Sequence, residues 1–201
     1  MKVQNQKKNL AQLFKEKPIL SWSELEAHYS RSTISGMTKN NELIRLAPGR
    51  YSLPSYSEKS EFASWALVAN RSPRGVVCLL SALKFHNITL QNPHQLWWAL
   101  PAGFHPPEWQ YPVMRTVNLS SSSINEGVET VMIEDMPLRV FNITKTVADC
   151  FKFRNKIGTS VAVEALTEAW NKKRLDLNLL WKYAAINRVQ RIMQPYLDTL
   201  K

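Results

Sequence analysis

The chain has 201 residues, 44% hydrophobic and 10% aromatic, with 26 Lys and Arg against 16 Asp and Glu and a formal net charge of +10. This is enough apolar material for one large domain or two small ones, and it excludes a disordered chain. The basic excess favours a polyanionic partner, either nucleic acid or an anionic membrane surface, with a merely solvated basic face as the alternative.

The opening stretch, MKVQNQKKNLAQLFKEKP, is charged throughout and lacks the apolar core of a secretion signal. No run approaches the roughly 18 apolar residues of a membrane span. Cys78 and Cys150 sit in the apolar contexts VVCLL and ADCFK, and both read as small buried hydrophobes in a reducing compartment. The expected location is the cytoplasm, with no membrane partner.

In chain order, the first expected helix places Leu10, Leu13 and Phe14 at helical spacing and stops before Pro18. Ser21 and Glu24 form a capping box that opens a second, with Trp22, Leu25 and Tyr29 on one face. Ser30 caps a third, RSTISGMTKNN, whose thin apolar face is Ile34 and Met37. Asn41 falls where that helix needs a left-handed residue. A hairpin follows: Leu43, Ile44 and Leu46 in one strand, Ala47 to Arg50 in the turn, Tyr51 to Leu53 in the other strand. The polar SYSEKSE after Pro54 reads as a linker or a helix start, which sets a first domain at residues 1–56 and a second at 57–201.

The second region opens with helices expected over residues 60–70, with Phe62, Trp65 and Val68 or Ala69 inward, and over 77–85. HQLWWALP and MRTVNLS are expected strands, and VETVMIEDMPLRVFNI a hairpin turning at Glu134 to Met136. From Thr144 the chain is expected to be helical. One helix ends at Gly158, SVAVEALTEAWNKK forms the next, Asp176 caps another, and a last helix is broken or kinked by Pro195.

Three helices followed by a hairpin is the layout of a winged helix-turn-helix, whose third helix enters the DNA major groove. The expected fold is therefore α+β: a winged helix-turn-helix, then a mixed α/β domain with a small antiparallel sheet and a C-terminal helical bundle. In the third helix Ile34 and Met37 face the core, leaving Arg31, Ser32, Thr33, Ser35, Thr38 and Lys39 for DNA. Short hydroxyl side chains let a backbone approach base edges closely, and cations suit phosphate or guanine. Arg45 and Arg50 put two charges on the wing, where phosphate is the expected contact. Residues 1–54 hold 9 basic and 4 acidic residues, so the excess is densest there. The competing reading is a basic protein-interaction module without specific DNA binding.

LIRLAPGRYSLP, directly after a small helical region, resembles the wing of the N-terminal winged-helix domain of the AbiEi family. LLSALKFHNIT resembles that family's segment after the linker, and ITKTVADCFKFRNKIG its T-x-x-D-C helix start. The trailing helices ending in MQPYLDTL fit as well, while Asn41 departs from the glycine common at that place. These families are antitoxins of type IV toxin–antitoxin and phage abortive-infection systems. The resemblance implies two tasks: repression of the chain's own operon through inverted repeats in its promoter, and neutralisation of a nucleotidyltransferase toxin by the C-terminal domain.

Catalytic chemistry finds little support. His28, His86, His94 and His105 lack metal-ligand spacing, the cysteines form no CxxC, and no phosphate-binding glycine loop occurs. No acidic residue stands two positions before a lysine, as a restriction-type nuclease requires to hold a divalent ion. Neither enzyme activity nor a cofactor or metal is expected. Thr144 or Thr146 is expected to cap a helix whose first turn holds Asp149, in preference to a contact surface. Of Trp97 and Trp98, one is expected in the core and the other as cover rather than as a stacking platform. Lys172, Lys173 and Arg174 suit a helix C-terminus, with DNA backbone contact as the alternative.

Overall fold

The computed structural model describes residues 10–55, 62–89, 91–106 and 112–200. The first nine residues, the linker after Ser55 and the proposed boundary at residue 56 lie outside them. The chain divides into two units, Met1–Arg71 with Met132–Met136, and Ser72–Val131 with Pro137–Lys201.

In the first unit, apolar spacing and polar caps set short helices. Helix α1 (Leu10–Glu16) is followed by strand β1 (Leu20–Ser21), α2 (Trp22–Glu26) and α3 (Arg31–Lys39). Strands β2 (Ile44–Ala47) and β3 (Arg50–Ser52) and helix α4 (Ala63–Arg71) complete it. Ser21 and Glu24 form the expected reciprocal cap of α2. Burial works against the Glu24 charge, but the Ser21 hydroxyl and backbone N–H and the Lys17 ammonium outweigh it and hold the carboxyl at about 2. The three-stranded sheet runs in the order β1-β3-β2, all antiparallel. Strand β1 has only two residues, too few to show an alternation in sequence. Phe14, Leu20, Leu25, Ile34, Leu43 and Tyr51 form the core between helices and sheet.

The second unit contains β4 (Val76–Val77), α5 (Leu79–Phe85), β5 (Leu96–Pro101), β6 (Met114–Leu119) and α6 (Ser121–Ile124). Then come β7 (Val128–Ile133) and β8 (Met136–Phe141), whose hairpin tip Met132–Met136 groups with the first unit, and α7 (Ile143–Lys152), α8 (Arg154–Ile157), α9 (Thr159–Asn171), α10 (Leu177–Asn187) and α11 (Gln190–Leu197). The hairpin turns at Glu134 and Asp135, both at positive φ, the geometry that suits the right-handed twist of two-residue hairpins. Pro195 lies inside α11, which continues to Leu197.

The larger sheet, ordered β6-β5-β4-β8-β7, is mixed rather than small and antiparallel. Strand β5 is antiparallel to β4 but parallel to β6, and β4 is parallel to β8. Central β4 is only Val76–Val77, two residues that carry no period, and the helix expected from Val77 begins at Leu79 instead. Strand β5 is buried along nearly its whole length, so Trp97 and Trp98 are both core, at 3% and 0% exposure, rather than one core and one cover. Trp98 lies so close to Gly75 that a Cβ there would meet its Nε1 at 1.9 Å. Helix α7 is buried from Ile143 to Phe151 and packs against α5, α9 and α10. Among the described residues no helix is long and apolar enough to cross a membrane.

Candidate nucleic-acid interface

Helix α3 is set by its two caps. The Ser30 hydroxyl accepts the Thr33 N–H at 3.2 Å and lies 2.9 Å and 2.8 Å from the Ser32 and Thr33 hydroxyls. At the other end Asn41 takes φ 56°, and the Glu42 and Asn41 amides return to the carbonyls of Met37 and Thr38. This is a Schellman closure in which asparagine does what glycine usually does. One residue of the helix, Ile34, is fully buried.

Arg31, Ser32, Thr33, Ser35 and Lys39 are exposed, whereas Thr38 is half-buried and its hydroxyl donates to the Ile34 carbonyl at 2.9 Å. Arg31, Ser35 and Lys39 follow one another at intervals of four and form a single stripe, with cation, hydroxyl and cation spread over about 12 Å of helix. Ser35 and Lys39 have no polar partner among the described residues. Arg31 does: its Nε donates to Glu26 Oε1 at 2.7 Å across the turn between α2 and α3. That bond is the first cause holding the Glu26 carboxyl below its usual range, with the nearby Trp22 side chain a second cause. Sequence reading missed Glu26, whose only signal is its place five residues before Arg31.

The hairpin turns on Pro48 and Gly49, with Gly49 at φ 69°, the residue pattern of a type II turn. The Gly49 carbonyl accepts the Trp22 N–H at 2.9 Å, and the Ser52 hydroxyl donates to the Pro18 carbonyl at 2.6 Å. The turn is thereby tied to the start of α2 and is not a loose flap. Its two arginines differ. Arg45 is exposed on β2 without a polar partner among the described residues, while Arg50 is half-buried on β3 with Nη2 3.4 Å from Asn70 Oδ1 on α4.

The other polar residues singled out from sequence serve the second unit's interior. Neither Thr144 nor Thr146 caps α7; Asn142 does, its side chain accepting the Lys145 N–H at 2.8 Å. Thr146 donates to the Phe141 carbonyl, and Thr144 accepts from the Asp176 N–H. Asp149, 1% exposed, lies beyond the first turn and meets Lys145 Nζ at 2.5 Å and Asn187 Nδ2 at 2.7 Å. Lys172 and Arg174 reach the carbonyls of Asn87 and His86, each at 2.7 Å, and so close the C-terminus of α5. Within that basic run only Lys173 is left without a polar partner among the described residues. Cys78 and Cys150 are buried free thiols, and burial raises both above the usual thiol range. No group of three or more His, Cys, Asp and Glu side chains among the described residues is arranged to hold a metal ion.

No protein-family model matches the sequence, and no curated protein matches it. Among solved structures the chain is similar to the crystal structure of RV2827C protein from Mycobacterium tuberculosis, with a TM-score of 0.54 over 90% of this chain and 78% of that one. The two share 12% sequence identity, so the likeness is one of fold alone.

Proposed function

We propose that the chain is a sequence-specific DNA-binding autorepressor, that its first unit is a winged helix-turn-helix, and that it acts in the cytoplasm as the antitoxin of a nucleotidyltransferase toxin. The observation that carries the DNA half is the α3 stripe of Arg31, Ser35 and Lys39, exposed and backed by the single buried residue Ile34. A helix that needed only to fill a core would bury more than one side chain. Ser32 and Thr33 beside the stripe and Arg45 on the hairpin add donors and charge suited to base edges and phosphate. The antitoxin half rests on the AbiEi resemblance of the three sequence segments.

A second reading, a protein-interaction module, draws on Leu177 and Leu179, exposed by 44% and 37% in the first turn of α10. A partner surface there is compatible with an antitoxin and also with a module that binds no DNA. Fluorescence anisotropy with the duplex upstream of the chain's own gene, against a scrambled duplex at two salt concentrations, separates the two. Preference for the upstream duplex that survives physiological salt is the expected result. Equal and steeply salt-dependent binding to both duplexes overturns the specific-repressor reading, because only charge would then be at work.

A further inference from the structure

Glu26 occupies an unfavourable place for a carboxylate. It is the last residue of α2, where the helix dipole already disfavours negative charge, and it lies beside the stripe that, on the reading above, meets a polyanion. It is nonetheless held by Arg31, and the helix that carries it starts at Trp22. Trp22 is itself fixed, its backbone N–H on the Gly49 carbonyl and its ring 5.8 Å from that of Tyr51.

The atom that Arg31 gives to Glu26 is the informative detail. It is Nε, at 2.7 Å, and not either terminal nitrogen. The guanidinium is planar, so fixing Nε fixes the direction of the edge that carries Nη1 and Nη2. That edge has no partner among the described residues, and the Arg31 side chain is 82% exposed. An arginine that only neutralises phosphate gains little from being aimed. One that donates two parallel bonds to guanine O6 and N7 must be aimed, and it stands where recognition helices read bases, at the N-terminal end of α3.

We infer that Glu26 is the positioning residue for Arg31 and that the pair reads one guanine in the operator. This rests on the reading of α3 as the helix that enters the groove. The carboxylate lowers general affinity for DNA and raises discrimination, so its removal acts on the two in opposite directions. A pair that merely staples α2 to α3 would change neither discrimination nor base preference.

The experiment uses the full chain as parent, Glu26→Ala, Glu26→Gln and Arg31→Ala, with thermal unfolding as the control for folding. Each binds the upstream duplex, a scrambled duplex, and a set of upstream duplexes in which single G·C pairs are changed to A·T. Expected is one G·C position whose change weakens the parent by roughly tenfold or more but leaves Glu26→Ala and Arg31→Ala nearly unaffected. Glu26→Ala binds the scrambled duplex more tightly than the parent does, while its preference for the upstream duplex falls. Glu26→Gln, which keeps an acceptor oxygen, retains part of the lost preference. If Glu26→Ala keeps the parent's preference and its sensitivity at every G·C pair, the inference is wrong and the repressor reading stands. If the parent itself prefers no duplex, both fall together.

Discussion

His86 shows how a single side chain makes stability depend on pH. It is buried, and its Nε2 lies 2.8 Å from the Phe141 carbonyl on β8. Burial is the main reason that its imidazole titrates below its usual range; the Phe141 carbonyl and Glu129 oppose the shift and Arg174 reinforces it. The unfolded chain therefore takes up this proton at a higher pH than the folded chain. The contribution is complete above the unfolded value of about 6.5 and declines as pH falls below it, by at most about 1.4 kcal/mol per pH unit, until the folded site protonates too. Glu24 acts in another window, since its lowered carboxyl loses its contribution only as pH falls from the usual carboxylate range toward about 2. Thermal unfolding of the parent is expected to shift downward between pH 7.5 and 5.5, and that shift is expected to shrink in His86→Gln. An equal shift in both proteins would assign the dependence to another group.

At the scale of elements, α7 carries a fully enclosed ion pair that α10 joins through the amide of Asn187. Lys145 and Asp149 are 0% and 1% exposed, Lys145 Nζ stands 4.5 Å from the Phe141 ring centroid, and Asn187 on α10 donates to Asp149. Breaking such a pair leaves an uncompensated charge, so Asp149→Ala is expected to cost about 3–5 kcal/mol in urea unfolding. Replacing both partners together, Lys145→Met with Asp149→Leu, is expected to cost less than Asp149→Ala alone, because no charge is then stranded. Asn142→Ala, which removes the cap of α7, is expected to cost about 1 kcal/mol by the same measurement. None of this cluster was legible in sequence. In TKTVAD the two threonines drew the cap assignment from the asparagine just before Ile143, which put Asp149 in a first turn and left Lys145 unremarked. The elements that were legible carry their signals within a few residues. Ser21 with Glu24, Ser30, Asn41 and Asp176 all cap or close the helices where local chemistry placed them. Strands β1 and β4 were not legible, because two residues carry no period and their pairing partners are distant in sequence. The stripe on α3 was legible as a set of exposed residues, but the Glu26 partner that orients Arg31 was not, since it depends on how the turn between α2 and α3 folds back.

Across the whole molecule, the count of 26 Lys and Arg overstates what is available to a polyanion. Lys145 is buried, Lys182 is paired with Glu126 at 2.8 Å, and Lys172 and Arg174 are spent on backbone carbonyls at the end of α5. Lys39 and Arg45 have no such engagement among the described residues. The salt dependence of DNA binding counts phosphates neutralised, since each neutralised phosphate releases condensed counterions. Lys39→Ala and Arg45→Ala are each expected to weaken binding to all duplexes and to reduce the slope of log affinity against log salt by about one. Lys172→Ala and Arg174→Ala are expected to leave that slope unchanged and to lower the unfolding temperature, because the Asn87 and His86 carbonyls then lose their donors. A fall in slope for the second pair would show that the second unit also lies on the nucleic acid. An unchanged slope for the first pair would remove Lys39 and Arg45 from the interface and leave the α3 stripe to Arg31 and Ser35.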